Sequence, residues 1–115
     1  MNPTDRSGVI RFDDTLRRIP SPTGESAALV LGRGTLDVKL LLGVASLVRI
    51  PHSQDEIYIV VRGTGVLVHA ERRDAFVAGD LLFVAAGVPH YYEEISADLA
   101  LWRIYYGPQG GEAPA

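Results

Sequence analysis

Turn-forming residues recur along this chain at short, regular intervals, and that rhythm constrains the fold more than any other feature. Gly32-Arg33-Gly34, Gly43, Pro51, Gly63-Thr64-Gly65, the polar 70–72, Gly79-Asp80 and Gly87-Val88-Pro89 divide it into short runs. The runs 26–31, 36–42, 45–50, 56–62, 66–69, 73–77, 81–85, 90–94 and 99–106 are rich in Val, Ile, Leu and aromatic residues. Strand-like runs spaced in this way predict an all-β antiparallel sandwich or barrel. Only one helix is plausible, a short turn capped by Asp13 or Asp14, running through Arg18 and stopped by Pro20.

A chain of 115 residues is one domain, long enough to bury a core without covalent staples. The expected organisation is a flexible N-terminus over 1–8, a barrel over 9–108 and a flexible tail over 109–115, the last two stretches being divided where Gly and Pro accumulate. Cysteine is absent, which excludes disulfides, zinc–thiolate sites and cysteine nucleophiles. A net charge of −3 with no basic patch gives nucleic acid and anionic membranes nothing to bind. No apolar run approaches the roughly 18 residues of a membrane span, and the polar start MNPTDRSG has no signal-peptide pattern. A cytoplasmic location is expected.

Alternation along 56–62 is informative, because side chains on a strand alternate faces. Glu56, Tyr58 and Val60 share one face; Ile57, Ile59 and Val61 share the other. Both are largely apolar, so both need cover. One points into a barrel. The other requires the N-terminal segment or a second subunit, and a homodimer with sheet-on-sheet packing is the expectation.

The same run begins with a polar cluster, His52, Gln54, Asp55 and Glu56. In extended backbone, His52, Gln54 and Glu56 share one parity. His90 follows the turn Gly87-Val88-Pro89 and opens another strand. Two imidazoles and a carboxylate converging at a barrel mouth can hold a divalent metal with open coordination positions, in iron, manganese, nickel, copper or zinc chemistry. Gln54 would add a weak oxygen ligand or a supporting hydrogen bond. Asp55, of opposite parity, reads as a solvated turn residue.

These residues resemble the two motifs of a small single-domain cupin. Glu56, then IYIVVR, then Gly63 matches the end of the first motif; Gly79-Asp80, LLFV, Ala85-Ala86-Gly87, Val88-Pro89 and His90 match the second. The resemblance implies a double-stranded β-helix (jelly-roll) barrel and a metal held by Glu56, His90 and His52. The first motif normally carries two histidines before its Glu, and here there is one. Counted from Glu56, His52 takes the second position and Ile50 the first; alternatively His52 is the first and Gln54 replaces the second. Ala85 stands for the usual Pro and Glu94 for the usual Asn.

The implied function is that of a metal-dependent enzyme of dioxygenase, isomerase, decarboxylase or lyase type acting on a small polar molecule. The alternative is a non-enzymatic binding or sensing module, which the missing imidazole favours. Tyr58, Tyr92 and Trp102 are candidate pocket-lining aromatics. Arg103 is charged inside an apolar run and is expected to form a salt bridge on the outer face, with an inward, anion-binding orientation as the alternative. His69 reads as a surface strand end. Gly63-Thr64-Gly65 lacks the lysine and helix of a phosphate loop and reads as a hairpin turn.

Overall fold

The computed structural model describes residues 7–43 and 51–114. The expected strand at 45–50 lies outside the described residues. Those described form a short helix α1 (Phe12–Leu16) and eight strands: β1 (Ala27–Arg33), β2 (Leu36–Leu42), β3 (Asp55–Arg62), β4 (Gly65–His69), β5 (Arg72–Phe76), β6 (Leu81–Val84), β7 (His90–Glu93) and β8 (Ala100–Tyr106). They make a five-stranded sheet in the order β1-β2-β8-β3-β6 and a three-stranded sheet in the order β5-β4-β7. Every pairing is antiparallel. The inner faces of the two sheets meet in an all-β barrel of the jelly-roll type.

Register decides what lies inside. On β3 the buried parity is Glu56, Tyr58 and Val60. Across the ladder these face Tyr105, Arg103 and Leu101 of β8, which in turn face Asp37, Lys39 and Leu41 of β2. One end of this inner surface is apolar. There Leu41, Val60 and Leu101 pack with Leu67 of β4 and Phe76 of β5 across the sheets, in a cluster that continues along β6 through Leu82 and Val84, opposite Tyr58 and Glu56. Burying each such side chain contributes roughly 1.5–3 kcal/mol. The other end is polar and holds the site described below.

The outer face of the large sheet is covered in one half only. Leu40 is fully buried, and Trp102, its cross-strand neighbour, meets the Phe12 ring edge-on at 6.4 Å. The N-terminal segment is therefore the cover over β2 and β8. Over β3 and β6 the same face leaves Leu81 62% and Phe83 54% exposed, with Ile59 beside them.

Helix α1 begins two residues earlier than a cap at Asp13 predicts. Arg11 occupies the N-cap without a side-chain bond, and Asp13 and Asp14 fall in the first turn, where their charge favours the positive end of the helix. Gly63-Thr64 is not a hairpin: β3 and β4 belong to different sheets, and these residues carry the chain across. Gly63 sits at φ +90, and a Cβ there would lie 2.7 Å from the Leu99 Cα, so the crossing requires glycine on two grounds. The segment expected as a free tail folds back: Gly110 N–H donates to Ser53 O at 2.7 Å and Glu112 N–H to Asp55 Oδ2 at 2.9 Å.

Candidate active site

Glu56 opens the inward parity of β3, and His90 is the first residue of β7 in the opposing sheet. The loops before them are joined, since Gly87 N–H donates to His52 O at 2.8 Å. Gly87, at φ +78, turns the chain so that Val88 O lies 3.0 Å from His90 Nδ1. A carbonyl oxygen only accepts, so Nδ1 carries a hydrogen. Nε2 then faces Glu56 Oε2 at 3.1 Å. Both residues are nearly inaccessible, Glu56 at 2% and His90 at 3%. Burial pushes the Glu56 carboxyl above its ordinary range, opposed by His90, His52, the Tyr105 hydroxyl and Arg103. An oxygen and a nitrogen at this distance need a hydrogen or a cation between them.

Aromatic residues wall the pair. Tyr58 lies 6.4 Å from the His90 ring and 5.8 Å from that of Tyr92, each edge-on. Burial raises both phenols far above their ordinary range, so they stay protonated. Among the described residues, the buried Tyr92 hydroxyl has no hydrogen-bond partner. Trp102, grouped with these tyrosines on sequence grounds, lies instead on the outer face against Phe12. Its parity on β8 is opposite to that of Arg103 and Tyr105, and this alone excludes it from the barrel.

Arg103 is a second correction. It faces inward at 8% exposure, pairs through Nη2 with Asp37, and stacks its guanidinium 3.7 Å from the Tyr105 ring centre. The His52 ring lies 3.7 Å from the same centre and 15° from parallel. Two groups that close to one centre cannot share a face, so Tyr105 is held between His52 and Arg103.

The expected metal residues are thus only partly assembled. Glu56 and His90 touch. His52 is stacked on Tyr105 and accepts the Gln54 backbone N–H at Nδ1, 3.2 Å away. The Gln54 side chain donates through Nε2 to Thr35 O at 3.0 Å and Gly107 O at 2.8 Å, bracing two loops. Among the described residues, no three His, Asp or Glu side chains are grouped as metal ligands. Asp55 is more than a solvated turn residue. Its carboxylate accepts the backbone N–H of Ala86 at 3.0 Å as well as that of Glu112, and these bonds lower its pKa. No sequence signal marks that role, because both donors are main-chain groups distant along the chain.

Comparison with known proteins agrees with this architecture. The cupin domain family matches residues 32–102. An uncharacterized protein of Streptomyces coelicolor is 34% identical over 59 residues, and the match spans 51% of this chain and 56% of that one. This chain thus matches about half the length of that relative. A cupin-2 domain protein of Shewanella frigidimarina superposes with a TM-score of 0.65 at 20% identity, covering 86% of this chain and 95% of that one. A salicylate 1,2-dioxygenase variant from Pseudoaminobacter salicylatoxidans, in complex with gentisate, superposes with a TM-score of 0.66 at 17% identity over 84% of this chain and 32% of its own.

Proposed function

We propose, on the premise that this chain belongs to the cupin domain family, that it is a divalent-metal-binding enzyme acting on a small polar molecule inside the barrel. The observation that carries this reading is the buried contact between Glu56 Oε2 and His90 Nε2 at 3.1 Å. Glu56 and His90 would hold a divalent cation through these donor atoms, in place of the shared proton. His90 is prepared for that role by its Nδ1–H on Val88 O, the support that ligating histidines commonly have. His52 is the third candidate ligand and must give up its bond from Gln54 N–H; Gln54 is a supporting residue through its loop contacts. Iron, manganese, nickel, copper and zinc all suit such donors. When bound, the metal supplies Lewis acidity or oxygen activation.

The chain's own groups do the rest. Tyr105 stands opposite Glu56 in the β3–β8 register, and its hydroxyl is among the groups that favour the ionised carboxyl. Tyr58 and Tyr92, protonated at all ordinary pH, offer hydroxyl donors to a substrate oxygen and exclude bulk water. The chemistry belongs with dioxygenation, isomerisation, decarboxylation or elimination, and the dioxygenase likeness supports including the first. A second reading, a non-enzymatic binding module, draws on the incomplete grouping of ligands among the described residues. The uncovered Leu81, Phe83 and Ile59 support a homodimer through the β3–β6 face. A monomeric mass at micromolar concentration refutes that assembly.

Metal content by plasma mass spectrometry, wild type beside His90→Ala, tests the main reading. Near one transition metal per chain, lost in the variant, is expected. No uptake by the wild type after reloading overturns it in favour of the binding module.

A further inference from the structure

Beside the reactive pair, a cleft of about 510 Å³ opens at the polar end of the large sheet, lined by Asp37, Lys39, His52, Gln54, Arg103 and Tyr105 among others. That volume suits a small molecule. Its charge arrangement is unusual for a resting sheet. Lys39 and Arg103 stand directly opposite each other on β2 and β8, where like charges destabilise an antiparallel pair. Asp37 compensates only Arg103, and Lys39 forms no ion pair among the described residues. Arg103 also has a buried Nε with no partner among the described residues. An unmade bond of this kind is costly and is normally met by a ligand or water. Packing against Tyr105 and pairing with Asp37 hold the guanidinium in place before any ligand arrives.

We infer that this cleft is a recognition site for the carboxylate of a small organic acid, with Lys39 and Arg103 as the groups that bind it. Two cations against one aspartate leave a surplus of one positive charge, which matches a monoanionic carboxylate better than a phosphate dianion. The planar guanidinium beside the lysine suits a planar oxyanion. The inference deepens the function proposed above by naming its substrate class, since the acid would be the substrate held next to Glu56 and His90.

Amide NMR titrations of the full chain with lactate, uncharged lactamide and inorganic phosphate test the site. Lactate is expected to bind, shifting resonances around Tyr105 and Gly107, and lactamide to bind far more weakly. Lys39→Met, at a partly exposed position, should weaken lactate about tenfold, the scale of one charge-assisted contact, and Lys39→Arg should restore it. His90→Ala in the same titration separates the two proposals: it is expected to lose metal yet keep the Lys39-dependent affinity. Equal binding of lactamide, binding of phosphate alone, unchanged affinity in Lys39→Met, or no binding of lactate overturns the assignment.

Discussion

The inner surface of the five-stranded sheet has two ends made from the same strands and unlike in every other respect. Toward one end, Leu41, Val60 and Leu101 lie side by side on β2, β3 and β8; a few residues along, the same ladders carry Asp37 and Lys39, Glu56, and Arg103 and Tyr105. The apolar end is sealed by Leu67 and Phe76 from the other sheet. The polar end has a buried acid–imidazole contact, a clamped arginine and two buried polar atoms without partners among the described residues. Burial without full satisfaction costs stability. The apolar end therefore holds the barrel together, and the polar end spends part of that stability on placing chemical groups.

Variants at each end should break that comparison in opposite directions. Leu101→Ala opens a cavity where the side chain is 1% exposed and is expected to cost about 2–5 kcal/mol, read by denaturant unfolding. Unchanged stability would show that the apolar end is not the structural half. Gly63→Ala comes next. The left-handed backbone costs roughly 1–2 kcal/mol for a residue bearing a Cβ, and the contact with Leu99 adds to it. A melting temperature equal to wild type would contradict the account of the crossing.

At the polar end the sign reverses. Glu56 has a raised pKa in the folded protein, so its ionised form is disfavoured there. Stability of the metal-free protein then falls as pH rises from the ordinary value of 4.5 through the higher folded value, and stays reduced above it. Glu56→Gln imitates the protonated acid toward His90. It should raise the metal-free melting temperature at neutral pH by a few degrees, the shift that about 1 kcal/mol produces in a domain of this size, while abolishing metal uptake. A lower melting temperature would mean that the ionised carboxylate is well satisfied as it stands.

The smallest effect concerns the rim of the site. Asp55 has a lowered pKa, with Glu112 N–H the largest cause and Ala86 N–H the next. Its contribution is present above 3.8 and is lost as pH falls through the lower folded value. Hydrogen exchange at Glu112 should accelerate in that acid window and, at neutral pH, in Asp55→Asn. Exchange independent of both would show that the C-terminal segment is held elsewhere.

Much of the architecture was legible from punctuation and alternation. The strands expected at 36–42 and 56–62 lie within a residue of those observed, and the run starting at His90 begins where expected. The cupin motifs pointed to Glu56 and His90, which do meet. Trp102 and Arg103 went wrong together, because β8 is apolar on both faces and its alternation says which residues are partners in orientation without saying which set turns inward. Gly63-Thr64-Gly65 has the composition of a hairpin, yet the strands it joins pair with different neighbours. Asp55 escaped notice because its partners are main-chain amides from 31 and 57 residues away.

The sequence by itself determined the strand spacing, the absence of cysteine chemistry, and the order of the two motifs that bring a glutamate and a histidine to one barrel end. These are local or compositional properties, written in residue types and their intervals. Only the tertiary structure decided that Arg103 faces in and Trp102 out, that Tyr105 is clamped between His52 and Arg103, and that Lys39 stands opposite Arg103. Those facts depend on register between strands distant in sequence. Register follows from how the whole set of apolar faces packs together, which no single strand encodes.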